Sequence, residues 1–334
     1  MFDILSIGDA TLDTFVRIED ATVTCSLEKE QCLLCLNYAD KIPITRLDRV
    51  IGGNAANSAI GFSRLNFDSA IYNIVGGDDI GKQVLKTFKN EKVSLKFVKI
   101  DKKSKSNYSV VLNFKGERTI LIHHEPRKYS ILHGIEATRF MYLTSLGRDF
   151  SEYFKKLAEV VKKHHIFLGY NPGTFQLRAG VAKMKEILKV ANVLLVNKEE
   201  AILLAEKRRK IQHPHEITSV QRLKNLFKIL HSYGPEIIVI TDGPVGSYVS
   251  DGKNAYEIGI FDVPIVERTG AGDSYSTGFL AALMNEKNIS EAMRWGTANA
   301  ASVIGKIGPQ AGLLNAKGMD KMLKRFKTVQ ATTF

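Results

Sequence analysis

The stretch VERTGAGDSYSTGF, residues 266–279, contains three glycines between positions 270 and 278 and one carboxylate, Asp273, directly after the closest pair. The segment before it, YEIGIFDVPIV (256–266), is rich in β-branched and aromatic residues, which predicts a strand. The segment after it, SYSTGFLAALMNE (274–286), carries apolar residues at helical spacing. The glycines are therefore predicted to lie at the N-terminus of a helix.

A helix N-terminus can bind an anion, because its first backbone N–H groups have no partner inside the helix and its dipole adds positive charge. Gly270 and Gly272 have no Cβ atom, so a phosphate group could approach this backbone closely. Asp273 beside them could take a proton from an attacking hydroxyl group. The alternative is that Asp273 only stabilises the first turn of the helix, as acidic residues often do.

A second glycine-rich segment, IGGNAANSAIGFSRLN (51–66), precedes another predicted helix. Gly52 and Gly53 interrupt the chain there, and Asn54 and Asn57 follow them. The amide of an asparagine can donate to and accept from the hydroxyl groups of a sugar, which makes this segment a candidate binding site. The alternative is an asparagine that only caps the helix.

Short β-branched runs alternate with amphipathic segments along most of the chain. The runs are ILSIG (4–8), AIYNIV (70–75), RFMYLTSL (139–146), HIFLGYN (165–171), NVLLVN (192–197) and EIIVIT (236–241). This alternation predicts an α/β fold whose largely parallel sheet is covered by helices on both faces. Ligands bind beyond the carboxyl ends of such strands, so Asp13, just past the first strand in GDATLDTF (8–15), is a candidate ligand contact.

Two segments do not fit a parallel core. Residues 14–50 alternate apolar and polar side chains without a long helix, and residues 107–125 have the pattern of a β-hairpin that turns near Lys115–Gly116. We predict that 14–50 and 107–125 form a small β-sheet lid. The α/β core domain would then comprise residues 1–13, 51–106 and 126–330.

Composition narrows the class of protein. Apolar residues make up 44% of the 334 residues, and no stretch approaches the roughly 18 uninterrupted apolar residues of a membrane span. The formal net charge is +12, but the basic residues are spread along the chain. The densest run, EKRRK at 206–210, has no aromatic residues among its charges and is interpreted as a solvated helix end. We expect neither a nucleic-acid partner nor a membrane partner.

The three cysteines, Cys25, Cys32 and Cys35, are too few for a disulfide framework in a chain of this length. The spacing of Cys32 and Cys35 would suit zinc, but no fourth ligand lies nearby in the sequence. We expect buried free thiols and therefore a reducing compartment, the cytoplasm.

Several of these segments together resemble the ribokinase-like (PfkB-type) carbohydrate kinases. The resemblance extends over nearly the whole chain and is carried by motifs in the order of that family: GDATLDTF (8–15), GGNAAN (52–57), NPGT (171–174), VNKEEA (196–201), ITDGPVGSYV (240–249), TGAGDSYSTGF (269–279) and ANAASVIGKIGPQAG (298–312). It implies a three-layer α/β/α fold with a mostly parallel central sheet and a β-sheet lid. It also implies ATP and Mg²⁺ as reaction partners, possible K⁺ dependence, and a homodimer formed through the lid.

The resemblance assigns roles to individual residues. It implies that Asp273 is the general base and that Gly270, Ala271 and Gly272 form the anion hole. The residues implied to bind the sugar are Asp13, Gly52, Gly53, Asn54 and Asn57. Those implied on the nucleotide side are Asn197, Glu200, Thr241, Gly243, Gly246 and Asn299, with Glu200 ordering Mg²⁺ through water. Glu267 and Thr269, with the loop 305–312, keep part of a monovalent-cation site.

The expected activity is transfer of the γ-phosphoryl group of ATP to a hydroxyl of a sugar. One alternative is a nucleoside kinase of the same fold, whose base would rest against lid residues such as Phe114 or His123. Another is a non-catalytic sugar- or nucleotide-binding protein, which is expected to have lost the base or the glycines of the anion hole. Both are present here.

Overall fold

The computed structural model describes residues 1–26, 31–115, 117–206 and 220–334. Its strands are β1 (Phe2–Ile7), β2 (Thr11–Ile18), β3 (Thr22–Ser26), β4 (Gln31–Cys35), β5 (Ile44–Gly52), β6 (Ser69–Gly76), β7 (Ser94–Asp101), β8 (Asn107–Phe114), β9 (Glu117–His123), β10 (Thr138–Leu143), β11 (Phe167–Tyr170), β12 (Val193–Asn197), β13 (Ile237–Thr241), β14 (Ser247–Ser250), β15 (Ala255–Ile258) and β16 (Thr332–Thr333). Its helices are α1 (Asn54–Arg64), α2 (Asp79–Asn90), α3 (Ser151–His164), α4 (Thr174–Ala179), α5 (Val181–Leu188), α6 (Lys198–Glu206), α7 (Val220–His231), α8 (Ala271–Met284), α9 (Ile289–Ile304) and α10 (Ala316–Arg325).

The central sheet has the strand order β16-β15-β14-β13-β12-β11-β10-β1-β6-β7. The pairs from β7 to β13 are parallel, and β14, β15 and β16 extend the sheet by antiparallel pairing. All six predicted core strands are present, so the predicted α/β fold with a mostly parallel sheet is confirmed. Parallel strands place their carboxyl ends at one edge of the sheet, which is where a ligand site is expected.

Helices cover both faces of this sheet. Neighbouring residues of one strand point to opposite faces, so Ile240 of β13 packs in the cluster formed by α3, α5, α6 and α7. The adjacent Val239 packs in the cluster with Phe279 of α8 and Met293 of α9. Burial on both faces explains why the core strands have continuous apolar sequences rather than alternating ones. The architecture is the predicted three-layer α/β/α arrangement.

A separate sheet with the order β5-β2-β8-β9 stands apart from the central one, as expected for the lid. The hairpin β8–β9 lies within the predicted segment 107–125, although Gly116 of its turn is outside the described residues. Asp13, at the end of the predicted core segment, lies in β2 of this sheet. The division into core and lid domains and the pairing of two lids stay predictions.

The cysteines differ from the expectation. β3 and β4 pair as a hairpin that sets Cys25 opposite Cys32, and the two form a disulfide. Cys35 is free and exposed. The prediction of buried free thiols was therefore wrong, because the cross-strand pairing that brings Cys25 to Cys32 leaves no sign in their spacing. The cytoplasmic location stays a prediction.

The predicted strand at 256–266 ends at Ile258, and beyond it the N–H groups of Val266 and Glu267 bond the Ile304 carbonyl at the end of α9 instead of a neighbouring strand.

The basic run at 206–210 lies outside the described residues after Glu206. In the part of the chain that is described, no helix is long and apolar enough to cross a membrane.

Candidate functional site

The glycine-rich stretch forms the tight turn into α8. Gly270 is the N-cap residue with φ 82°, and a Cβ atom there would lie 2.5 Å from the Cβ of Pro309. The first hydrogen bond of the helix runs from the Ser274 N–H to the Gly270 carbonyl, so the N–H groups of Gly272 and Asp273 precede it. A Cβ atom on Gly272 would meet nothing within 4 Å. The helix N-terminus therefore faces open space, as an anion site requires.

Ala271 differs from its neighbours in this turn. Its N–H donates to the Arg268 carbonyl at 3.3 Å, which closes the turn on itself. Of the three residues proposed for an anion hole, Gly272 presents its backbone most openly, together with the N–H group of Asp273.

Asp273 is joined to the early glycine-rich segment by a direct contact. Its Oδ2 accepts a hydrogen bond of 2.8 Å from Nδ2 of Asn57, which lies 216 residues away in the sequence. The Oδ1 of Asn57 accepts in turn from Nε2 of Gln310 at 3.0 Å. Burial away from water raises the pKa of Asp273 to about 6. The hydrogen bond from Asn57 lowers this pKa in part, and the charge of Asp13 raises it further. A carboxyl group with this pKa can accept a proton near neutral pH.

Asp13 lies on the lid sheet, close enough for its charge to act on Asp273. Its Oδ1 accepts a 2.6 Å hydrogen bond from the Ser109 hydroxyl. A Cβ atom on Gly52 would lie 2.0 Å from Oδ2, so only glycine lets the carboxylate approach the chain here. Burial raises the pKa of Asp13 to about 6, partly offset by Ser109, and the charge of Glu267 raises it further. Two carboxylates with raised pKa values thus share one site, as in many catalytic centres.

The start of α1 does not show the capping that was the alternative for this segment. Its N-cap residue is Gly53, with φ 96° and no side-chain cap. The Asn54 carbonyl accepts from the Ser58 hydroxyl inside the helix, and Asn54 itself is half-buried at the first helical position. The side chain of Asn57 instead contacts Asp273 and does not cap the helix.

A second group of predicted residues lies beyond β12 and β13. Asn197 and Glu200 are joined by two hydrogen bonds. The Glu200 N–H donates to Asn197 Oδ1 at 2.8 Å, and the Asn197 N–H donates to Glu200 Oε2 at 2.9 Å. Burial raises the pKa of Glu200, and the charges of Glu199 and Asp273 add to the rise. Thr241 is the register partner of Asn197, and the turn Gly243–Val245 with Gly246 follows it. These residues therefore follow the carboxyl ends of two neighbouring strands, and Glu200 among them is close enough to Asp273 for their charges to interact.

Asn299, assigned to the nucleotide side by the family resemblance, is held by two hydrogen bonds inside the protein. It is fully buried, its Nδ2 donates to the Ser274 carbonyl at 2.8 Å, and its Oδ1 accepts from the Leu314 N–H at 3.0 Å. Both ends of the amide are therefore used inside the protein. In this structure Asn299 ties α8 to the loop after α9 and does not form a wall open to a ligand.

Glu267 and Thr269 lie where the turn before α8 meets the loop after α9. Oε2 of Glu267 accepts from the Gly308 N–H at 2.9 Å. Oε1 of Glu267 and Oγ1 of Thr269 are buried and have no hydrogen-bond partner within the described residues. Buried oxygens without a donor fit a bound cation, because oxygen ligands suit hard metal ions.

Gln310 and Ser109, the partners that orient Asn57 and Asp13, were not predicted from the sequence. Arg64 is a third missed residue: its Nη1 donates to the Gln310 carbonyl at 2.6 Å while its guanidinium pairs with Glu91 at 2.7 Å. No local pattern marks such positioning residues, because their partners lie far away in the sequence. Gln310 alone had a signal, since it falls within the late motif 298–312.

Phe114 and His123, considered as platforms for a nucleobase, are not placed for that role. Phe114 is buried with Val16 and Ile18 on one face of the lid sheet. Asp13 and Ser109 lie on the opposite face, because residues at odd and even positions of a strand point in opposite directions. The ring of His123 is 61% exposed and contacts Glu125.

Comparisons with known proteins agree on one family. A model of the pfkB family of carbohydrate kinases matches residues 16–316. An uncharacterised sugar kinase of Archaeoglobus fulgidus is 27% identical over 269 residues, which cover 76% of this chain and 98% of that relative.

Solved structures show the same fold. The ribokinase of Arabidopsis thaliana, in complex with ribose and ATP, superposes with a TM-score of 0.79 at 20% identity over 97% of this chain and 99% of that one. A nucleoside kinase of Methanocaldococcus jannaschii superposes with a TM-score of 0.76 at 18% identity, covering 97% and 98%.

Proposed function

The chain belongs to the pfkB family of carbohydrate kinases, and from this we propose that it transfers the γ-phosphoryl group of ATP to a hydroxyl of a sugar, with Asp273 as general base. The observation that carries the proposal is the hydrogen bond between Asn57 and Asp273, which brings the two glycine-rich motifs to one point. Asp273 stands there directly beside an open helix N-terminus.

The site can act mainly by positioning and by electrostatics. Asp13 accepts a hydrogen bond from a hydroxyl group of the acceptor, and Asn57 orients the Asp273 carboxylate through its Nδ2. The Asp273 carboxylate accepts the proton of the hydroxyl that attacks. The acceptor oxygen forms a bond to the γ-phosphorus as the bond to the ADP oxygen breaks. The N–H groups of Gly272 and Asp273 stabilise the negative charge on the transferred group.

The nucleotide side is assigned to Glu200 with Asn197, Thr241, Gly243 and Gly246. Glu200 suits an indirect contact to Mg²⁺. Burial and the nearby charge of Asp273 raise its pKa, and a cation close by would offset both effects and favour the ionised carboxylate. No cluster of three or more His, Cys, Asp or Glu that could hold a metal occurs among the described residues. In the proposed arrangement the magnesium ion is bound mostly by phosphates and water. When bound, Mg²⁺ supplies charge neutralisation on the phosphates.

The test of this function is ADP release with Mg·ATP against a panel of acceptors. The panel contains ribose, fructose, 2-keto-3-deoxygluconate, tagatose, fructose phosphates, adenosine, inosine, guanosine and cytidine, so the nucleoside alternative is tested in the same experiment. We expect ADP release that depends on the presence of a sugar acceptor. ATP binding without ADP release on any acceptor would favour the non-catalytic alternative.

The rate should depend on pH through the base. Asp273 accepts a proton only when ionised, and its pKa without bound substrates is raised to about 6, so kcat/KM for the acceptor is expected to rise as pH increases through this value. The measurement is kcat/KM for the acceptor across the mildly acidic and neutral range. In Asp273→Asn the residual kcat/KM should lose this rise. A wild-type kcat/KM that is constant over the same range would contradict the assignment.

A monovalent cation is proposed at Glu267 and Thr269, on the basis of their unpartnered buried oxygens. ADP release is expected to be faster in K⁺ than in an equal concentration of a bulky organic cation. Glu267→Gln and Thr269→Val should reduce this difference, because each removes or weakens one oxygen ligand. Equal rates of the wild type in the two salts would count against the site.

A further inference from the structure

A second buried carboxylate lies next to the proposed acceptor site. Asp9 follows β1 and is only 5% exposed, yet its Oδ2 has no hydrogen-bond partner within the described residues. A Cβ atom on Gly53 would lie 2.5 Å from the Asp9 carbonyl oxygen, so the two chain segments touch. The Asn57 N–H donates to the Gly53 carbonyl at 2.9 Å, which places Asp9 about one helical turn from Asn57.

His124 connects this carboxylate to the lid. It directly follows β9, and its Nδ1 lies 3.3 Å from Asp9 Oδ2, although the contact does not satisfy that oxygen as a hydrogen bond. The edge of the imidazole meets the ring of Phe175 on α4, with the centroids 5.4 Å apart. His124 is thus held between the lid and the loops that follow β1 and β11.

Helices from both faces of the central sheet flank the edge where Asp9 lies. Phe279 of α8, the helix that carries Asp273, packs on one face of the central sheet, and Leu177 of α4 packs on the other face. Asp9 lies at the carboxyl end of β1, between β10 and β6 in the strand order. An acceptor under the lid, with one hydroxyl at Asp273, would extend over the sheet edge towards Asp9.

We propose that Asp9 is a specificity-determining residue that accepts a hydrogen bond from an acceptor hydroxyl distal to the one that is phosphorylated, and that His124 positions it. The inference rests on the proposed function. A buried carboxylate oxygen without a donor is costly, and a hydroxyl donor from the acceptor supplies the missing bond. A carboxylate there repels a phosphate or carboxylate, so the acceptor carries a hydroxyl group rather than an anionic group at this end.

The test uses Asp9→Asn, which preserves the size of the side chain, and the sugar of the panel that the wild type uses best. The acceptor KM is expected to rise by about 10–100-fold, the value of one hydrogen bond to a charged group. The kcat and the KM for ATP should stay within about threefold, because the contact is made equally before and during the reaction. On the monodeoxy derivative that lacks the contacted hydroxyl, Asp9→Asn should change KM by no more than about twofold.

Variants of His124 test the positioning role. His124→Asn keeps a polar nitrogen near the position of Nδ1 and should leave the acceptor KM close to that of the wild type. His124→Phe removes the ring nitrogen that lies beside Asp9 but keeps a ring against Phe175, and should raise the acceptor KM. Asp320→Asn, an exposed carboxylate on α10, is the matched control and should change none of these constants.

Two results would overturn the inference. One is an acceptor KM that is unchanged in Asp9→Asn. The other is a rise in KM from wild type to Asp9→Asn that is equal for every monodeoxy derivative. Failure of the proposed function has a different signature, namely a wild type that releases no ADP with any acceptor of the panel. If the wild type is active and Asp9→Asn has the same acceptor KM, only this inference is rejected and the proposed function stands.

Discussion

We expect Asp273→Asn to lower kcat by about 10²–10⁴-fold, the usual contribution of a general base. The asparagine amide has the same shape as the carboxylate but cannot take the proton of the attacking hydroxyl. The KM values for acceptor and ATP should change little, because the lost interaction belongs to the reaction step. The measurement is the steady-state rate of ADP release with the best acceptor of the panel.

Stability separates this effect from misfolding. The pKa of Asp273 is about 6 in the folded protein and about 4 in an unfolded chain. A carboxyl group whose pKa is raised on folding gives stability below the unfolded value, and this stability is lost as pH rises through the folded value. Asp273→Asn should therefore unfold at the same temperature as the wild type, or a higher one, at pH values above 6. A kcat within a few-fold of the wild type would remove Asp273 from the role of base.

The second large effect is expected from Gly272→Ala. A Cβ atom at this position meets no protein atom within 4 Å, so the methyl group occupies the open space beside the helix N-terminus. If the transferred phosphoryl group uses that space, the methyl group holds it away from the N–H donors. We expect kcat/KM for ATP to fall by about 10²–10³-fold, comparable to the loss of one donor that stabilises the transition state.

The same change should stabilise the fold, because alanine is favoured over glycine inside a helix by about 0.8–1.0 kcal/mol. A loss of activity together with a gain in unfolding free energy is hard to produce by structural damage. Gly270→Ala is the matched comparison: its Cβ atom would lie 2.5 Å from Pro309 in a backbone with φ 82°, so this variant should lose stability as well as activity. Full activity in Gly272→Ala would show that no phosphate approaches this backbone.

The architecture could be predicted from the sequence because strands and helices are marked by patterns within short stretches of the chain. Runs such as NVLLVN at 192–197 are buried on both faces of the sheet, and their apolar continuity is readable without the rest of the chain. The glycines at 270 and 272 predicted a helix N-terminus for the same reason. The join between Asn57 and Asp273 became predictable only through the family resemblance, since 216 residues separate them.

What the sequence did not predict depends on distant partners. Strand alternation puts Phe114 and Ser109 on opposite faces of β8, but it does not say which face is turned to the acceptor. The hairpin that joins Cys25 to Cys32 depends on a pairing register that spacing does not reveal. Asp9 looked unremarkable beside Asp13, because only its burial without a partner distinguishes it.

The central claim is that the γ-phosphoryl group of ATP ends on an acceptor hydroxyl. Its most direct test is to incubate the protein with Mg²⁺, γ-labelled ATP and the acceptor panel, and to locate the label after separating the products. We expect labelled acceptor in a one-to-one ratio with ADP, and almost none with Asp273→Asn. Label found only in ATP and inorganic phosphate, whatever the acceptor, would contradict it.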